Sequence, residues 1–263
     1  STFSSCHSDP CGRTIMRVFL LDSSYGGETL YSLKKREIQY LSKVLRLEEG
    51  TVFTAKDRNE NYYKATLKEE GILHLEPTEN PEDTLLDSLS SYKGPFAAID
   101  VYIAMLKGKK NETVVRALTE IGVRKIVFVD SQNVQEHTFS DHQRQRLELI
   151  EKEAVQQSGG KAPELSGPLS FPEALALSEG KRVILHQGVR KKSTTLQKIV
   201  HSEDIKFVVS LFIGPEGGWS DEECVLAENQ GVIPVLLSTN ILRSETAAVY
   251  TASVVQSILH EKI

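Results

Sequence analysis

Two short stretches near the end of this 263-residue chain combine residue types that packing alone does not require. Gly214-Pro215-Glu216-Gly217-Gly218 sets three glycines beside a proline, directly after an apolar run. Backbone of that composition can approach a ligand closely and offer it N–H groups. Further on, Arg243 and Glu245 flank Ser244 in front of an Ala- and Val-rich helical segment, whose N-terminus favours negative charge. A guanidinium and a carboxylate so placed are of the kind that functional sites use to perturb protonation and stabilise charge. Each stretch also has a plainer reading. The first is a turn, and the second is a helix-terminal salt bridge capped by Ser244 or Thr246. The glycine loop lacks the Gly-Lys-Ser/Thr of a Walker A loop and does not match G-x-G-x-x-G, which argues against ordinary nucleotide-phosphate binding.

The elements that must hold these stretches are legible around them. An apolar run from Phe207 to Ile213 enters the glycine loop, and Ser220-Asp221-Glu222-Glu223 leaves it as a capping-box helix start. Val232 to Leu237 enters the second loop in the same way, and helix follows again. In a parallel α/β sheet the two loops are expected at the carboxyl ends of adjacent strands, where such sheets bind ligands. Upstream, Ala97 to Leu106 reads as a buried strand, and Asn111 as the N-cap of a helix through Ile121 that Gly122 closes. Ile126 to Val129 is a strand. Ser140 or Asp141 caps a long helix to about Gln157, Pro172 opens a short one, and Arg182 to His186 and Leu196 to Val200 continue the alternation. Repeated βα units imply a parallel sheet covered on both faces.

The first part of the chain reads differently. Val18 to Leu21, Val52 to Ala55, Tyr62 to Leu67 and Ile72 to Leu75 are short β-like runs separated by turn compositions, the pattern of a small β-barrel. One helical insertion, Lys34 to Leu47, carries Lys34, Lys35, Arg36, Lys43 and Arg46. On charge alone a solvated helix face accounts for these residues better than an RNA-contacting patch does. Pro77, Asn80-Pro81, a serine cluster and Gly94-Pro95 mark a boundary. The expected organisation is thus a leader over 1–15, polar and without an apolar h-region, a β-barrel over 16–78, a linker over 79–95 and an α/β domain over 96–263.

Composition bounds the function. Hydrophobic content of 40% and charged content of 25% are ordinary for a soluble protein, and no apolar stretch approaches a membrane span. A net charge of −5 argues against broad nonspecific binding of nucleic acid but leaves room for a local basic face. Cys6, Cys11 and Cys224 form neither a disulfide framework nor a metal-ligand spacing, and the seven histidines show no ligand cluster, so a cytoplasmic protein without a metal is expected.

GPEGGWSDEE and ILRSETAA closely resemble the signatures of the RsmE family, within the SPOUT superfamily, which methylates N3 of a uracil in small-subunit (16S) ribosomal RNA. KGKKNETVVRALTEIGV from Lys107, EKEAVQQSG from Glu151 and YLSKVLRLEEG from Tyr40 extend the resemblance over nearly everything after Met16. It implies a PUA-like RNA-binding β-barrel, then an α/β domain whose C-terminal part is tied in a trefoil knot, a feature nothing in periodicity predicts. It implies S-adenosylmethionine (SAM) as cofactor, 16S rRNA within the 30S subunit as substrate, and a homodimer. Carried onto this chain, the cofactor residues are His186, Gln187 and Gly188, then Ile213, Gly214, Pro215, Glu216, Gly217 and Gly218, then Leu237, Ser238, Ile241, Leu242 and Arg243.

For catalysis the resemblance points to Arg243 as the donor to charge developing on a uracil oxygen, with Glu245 taking the N3 proton or orienting Arg243. Orientation is the favoured role, since an ordinary carboxylate is a poor base for so weak an acid unless burial raises its pKa. Lys107, Lys109, Lys110 and Arg116 are expected to contact phosphate, together with the basic residues of the helical insertion. His186 is expected to meet the cofactor through its backbone, and Trp219 and Cys224 to serve packing. The chain departs from the family where Ser131-Gln132-Asn133 replaces Ser-Glu-Arg, where no arginine lies close to Gly160, and where Gln39 and Tyr40 replace histidines. Each departure removes a possible RNA contact. The competing expectations are a methyltransferase of the same fold acting on another RNA or on a ribose 2′-OH, and a noncatalytic ribosome-assembly RNA-binding protein.

Overall fold

The computed structural model describes residues 18–79, 98–186, 195–201, 208–237 and 239–261. The expected leader, almost all of the expected linker, Gln187, Gly188 and Ser238 lie outside the described residues. Two compact units are present. One comprises residues up to 92 together with 152–161, and the other 93–151 together with 162–263.

The first unit is built on five strands, β1 (Phe19–Leu20), β2 (Leu30–Ser32), β3 (Val52–Lys56), β4 (Tyr62–Lys68) and β5 (Ile72–Thr78), in the order β1-β3-β4-β5-β2. β1 runs parallel to β3 and the other pairs are antiparallel. The expected barrel is an open sheet in the described residues, because its two edge strands are only two and three residues long and are not paired with each other. Phe19, Leu21, Tyr31, Leu33, Leu41, Ala55, Ala65, Leu73 and Leu75 fill its core. The expected helix from Lys34 to Leu47 is broken: α1 (Lys35–Gln39) gives way to a π-helical turn over Tyr40–Val44. Glu37 explains the tight entry. Its buried carboxylate accepts the Lys34 N–H at 2.8 Å and also the Tyr31 hydroxyl and the Lys152 ammonium, so the first turn is tied to the core rather than to a continuing helix.

Residues 152–161 are integral to this unit. Val18 N–H donates to the Gln156 carbonyl and Leu20 N–H to Gln156 Oε1, which covers the outer edge of β1. Lys56 is fully buried, and its ammonium donates to the Gly160 carbonyl at 2.6 Å and the Gly159 carbonyl at 3.1 Å, with Glu60 as its counter-ion. A buried lysine is tolerable only when its charge and donors are met in this way.

The second unit holds a six-stranded sheet of β6 (Ile99–Ala104), β7 (Lys125–Asp130), β8 (Glu164–Ser170), β9 (Lys181–Leu185), β10 (Val209–Ile213) and β11 (Ile233–Val235). Its order is β11-β9-β10-β6-β7-β8 and every pair is parallel. All residues of the central strands β6 and β10 are buried, Asp100 and Ser210 included, which is why both read as largely apolar runs. Between and after the strands come α2 (Lys110–Ile121), α3 (Asp141–Ser158), α4 (Phe171–Leu177), α5 (Leu196–His201), α6 (Asp221–Asn229) and α7 (Ser244–Glu261).

Local signals account for most helix ends. Gly122 closes α2 at φ 87°, in the left-handed region that glycine enters without strain. Ser140 Oγ accepts the Gln143 N–H ahead of α3, and Ser170 and Ser220 form full capping boxes at α4 and α6. Asn111 is not the N-cap of α2, which is Lys109. It lies inside the helix, buried, with its side-chain oxygen accepting the Leu106 N–H at 2.9 Å and its amide donating to the Leu106 carbonyl at 2.7 Å. That clasp folds the segment after β6 back onto the helix. In α7, Ala247, Ala248, Thr251, Ala252, Val255, Ile258 and Leu259 are buried at helical spacing, and the helix packs against β6, β10, α2 and α5.

Candidate active site

Because the sheet is parallel, the segments leaving β6, β9, β10 and β11 all start from one edge. The glycine loop and the Arg243 loop do not follow adjacent strands, since β9 lies between β10 and β11. The middle strand contributes instead. His186, directly after β9, is half-buried; its N–H donates to the Val235 carbonyl at 3.1 Å and its Nδ1 lies 3.5 Å from Cys224 Sγ. Its backbone N–H is thus committed within the sheet. Burial pushes the Cys224 thiol up to about 11, consistent with an inert packing role.

The glycine loop is tightly shaped. Gly218 adopts φ +75° and donates its N–H to the Pro215 carbonyl at 2.9 Å. A side chain on Gly214 would start 3.2 Å from the Trp219 indole nitrogen, so the glycine admits the ring. Trp219 is buried and packs against Phe171, with ring centroids 4.9 Å apart. Ile213 and Pro215 are buried, and Glu216 and Gly217 are exposed.

Glu216 is not free. The Lys110 ammonium lies 2.6 Å from its Oε1, and the Lys107 N–H also donates to it. Partial burial alone would raise the Glu216 pKa, but these donors outweigh it and hold the carboxyl below its usual range. The same hydrogen bond raises the Lys110 pKa, to which Glu245 adds and from which Arg243 subtracts. The segments after β6, β10 and β11 thus share one electrostatic neighbourhood. Lys110, expected at phosphate, is paired with Glu216 of the loop.

In the third segment Arg243 is exposed and its carbonyl accepts the Ala247 N–H at 2.8 Å. Arg243 therefore holds the N-cap position, not Ser244 or Thr246, because the first helical bond closes on its carbonyl. Ser244 is buried and Glu245 half-buried, with Glu245 Oε2 enclosed and without a hydrogen-bond partner. Among the described residues no ion pair joins Glu245 to Arg243. Leu237 and Leu242 pack on the core, whereas Ile241 is 84% exposed.

The segment after β7, where Ser131-Gln132-Asn133 departs from the family pattern, is tied to the glycine loop and to α6. Ser131 Oγ donates to Glu223 Oε2 and the Gln132 N–H to Glu223 Oε1, both at 3.0 Å, while Asn133 Nδ2 donates to the Gly218 carbonyl at 3.0 Å. Glu223, legible as a capping-box residue, is buried because it serves this segment as well. No spacing rule could have paired residues so far apart in sequence.

Of the residues expected at RNA, Lys107, Lys109 and Arg116 are exposed beside this edge or on α2. In the first unit Lys35, Arg36, Lys43 and Arg46 are exposed, and Lys34 pairs with Asp22 at 2.6 Å. Among the described residues no three His, Cys, Asp or Glu side chains cluster as metal ligands. No helix among them is long and apolar enough to cross a membrane.

The family described as RNA methyltransferase domain matches residues 93–256. "Ribosomal RNA small subunit methyltransferase E" of Synechocystis is 27% identical over 237 residues, covering 88% of this chain and 74% of that protein. The protein of the same name from Aquifex aeolicus is 27% identical over 256 residues, covering 92% and 100%. A Legionella pneumophila methyltransferase solved with the cofactor SAM superposes with a TM-score of 0.74 at 25% identity, over 92% of this chain and 98% of that one. The fold is shared with a Neisseria gonorrhoeae ribosomal RNA small subunit methyltransferase E bound to S-adenosyl methionine, at TM-score 0.72 and 23% identity, over 93% and 98%.

Proposed function

The chain belongs to the RNA methyltransferase family that matches residues 93–256, and from that premise we propose that it is a SAM-dependent rRNA methyltransferase that modifies N3 of a uridine in 16S rRNA. The observation that carries the reading is the convergence, at one sheet edge, of a glycine loop, an exposed guanidinium and an enclosed, unpartnered carboxylate oxygen. The relatives' names supply the substrate class.

The residues suit the cofactor. No atom stands within 4 Å of where a side chain on Gly218 would begin, so the loop leaves open space beside its backbone. Ile213 to Gly218, the His186 carbonyl and the segment from Leu237 to Arg243 would hold the cofactor, which supplies an electrophilic methyl group when bound. Gln187, Gly188 and Ser238 complete the proposed seat by sequence. Arg243 stabilises the charge that develops on a uracil oxygen as N3 loses its proton. Glu245 is assigned the proton. An orienting role would require it to engage Arg243, and among the described residues no ion pair does so, whereas its Oε2 is enclosed without a hydrogen-bond partner. Positioning of N3 against the methyl group supplies much of the remaining acceleration.

The finer architecture is part of the proposal. β11 lies at the sheet edge beyond β9, yet α7 returns to pack on β6, β10 and α2, which supports a C-terminal segment threaded as a trefoil knot of the SPOUT type. The five-stranded first unit, with Lys35, Arg36, Lys43 and Arg46 exposed, supports a PUA-like RNA-binding module whose strands lie within 16–78 and which 152–161 complete, joined by a linker to a catalytic domain over the rest of 96–263. Leu236 at 41% and Ile241 at 84% exposure are apolar residues beside the site, which supports a homodimer closing over it. The substrate is assigned as 16S rRNA within the 30S particle, in the cytoplasm.

The test is methyl transfer from labelled SAM to 30S subunits lacking the uridine modification, followed by nucleoside analysis. 3-Methyluridine is expected. Label on a ribose 2′-OH or another base refutes the N3 assignment, and SAM binding without any transfer refutes the enzymatic reading for this RNA.

A further inference from the structure

The loop over residues 214–218 is gripped at two points by chain segments remote from it in sequence. At the first, Lys110 Nζ lies 2.6 Å from Glu216 Oε1, and the Lys107 N–H donates to the same carboxylate. At the second, Asn133 Nδ2 donates to the Gly218 carbonyl at 3.0 Å, and the Asn133 Cβ stands 3.4 Å from where a side chain on Gly217 would begin. The grips come from the segments after β6 and β7, two neighbouring strands.

The second grip is itself anchored. Ser131 and Gln132 both donate to the buried carboxylate of Glu223, in the helix that leaves the loop. Loop, helix and the 131–133 segment therefore close a ring of hydrogen bonds. Three glycines in five residues make the free loop entropically costly to order, and a loop ordered beforehand spares the ligand that cost. The first grip also separates charges: with Lys110 held by Glu216, its ammonium is kept from pairing with Glu245, which lies within its electrostatic reach.

Resting on the reading of this loop as the cofactor's seat, we propose that Lys110 and Asn133 are positioning residues that hold the loop in its binding shape before SAM arrives, through Glu216 and the Gly218 carbonyl. Two readouts test this on the full chain: the SAM dissociation constant by calorimetry, and hydrogen exchange of the 214–218 amides in cofactor-free protein. Both grips are exposed, and each is worth about two- to fivefold in affinity. Lys110→Met, Glu216→Gln and Asn133→Ala should each weaken SAM binding by about that factor and speed loop exchange, and Lys110→Met and Asn133→Ala should hold kcat at saturating SAM within about twofold. Lys110→Arg should keep wild-type affinity, and Lys110→Met combined with Glu216→Gln should lose no more than Lys110→Met alone. Melting temperatures identify any variant that fails to fold, and the arginine variant and the double variant then still decide. Wild-type affinity and exchange in the three single variants overturns the proposal, as do fully additive losses in the double variant. A wild-type chain that binds no SAM overturns the cofactor-seat reading instead, and loop exchange alone then decides whether the grips order the loop.

Discussion

Replacing Glu245 by glutamine should make the protein more stable and less active at once. Glu245 Oε2 is enclosed without a hydrogen-bond partner; leaving a buried polar atom unpaired costs about 1–3 kcal/mol and more where it carries charge, so glutamine relieves the excess due to charge, itself of that order. Its place in the first turn of α7 returns about 0.3–1 kcal/mol through the helix dipole. Because the residue is only half-buried, the lower part of the first range applies, and the desolvation cost still exceeds the dipole gain. Glu245→Gln should therefore gain about 1 kcal/mol, or about 3 °C in melting temperature for a chain of this size. A glutamine cannot take a proton, so single-turnover methyl transfer should fall by about 10²–10⁴-fold. Thermal unfolding of cofactor-free protein and rapid-quench transfer to 30S subunits read the two quantities independently. A variant that transfers methyl at near the wild-type rate, or that melts several degrees lower, refutes the assignment of this carboxylate as a strained proton acceptor.

Arg243→Ala should lower kcat by about 10²–10³-fold while leaving the SAM dissociation constant within about threefold, as steady-state kinetics and calorimetry would show. Lys56→Met removes the ammonium that satisfies the Gly159 and Gly160 carbonyls, and should cost about 2–3 kcal/mol in urea unfolding. The Cys224 thiol is held up to about 11, above its unfolded value, so the folded state favours the protonated form. Its contribution to stability is complete below the unfolded pKa and is lost as pH rises from there through about 11. In a background with Cys6 and Cys11 replaced by serine, the alkaline decline in melting temperature should be shallower once Cys224→Ala is added, and iodoacetamide at pH 8 should modify Cys224 only after unfolding.

What the sequence disclosed was mostly local. The capping boxes at Ser170 and Ser220, the terminating Gly122 and the largely apolar runs of β6 and β10 are short-range signals with short-range causes. β8 escaped because ELSGPLS is half-buried and carries Pro168, which an edge strand accommodates and an interior strand does not. The helix from Lys34 was overextended because the tie of Glu37 to Lys152 is invisible to periodicity. At the site, Arg243 and Glu245 were marked by type and spacing. The strand β9 between the two loops, and the pairing of Lys110 with Glu216, depend on crossover order and on contacts spanning over a hundred residues.

The discontinuous first unit has a consequence for biosynthesis. All five of its strands leave the ribosome early, but the residues that cover β1 and satisfy Lys56 are translated only after β6, α2 and β7 of the other unit. Until then the nascent sheet carries a lysine that has to stay hydrated and an edge open to misassociation, so its folding waits on residue 161. A gene fragment cut in the expected linker would strip the first unit of residues 152–161 and leave those residues, unpartnered, on the fragment that carries the second. Recombination could not readily transplant this module, and the two units are expected to be inherited together.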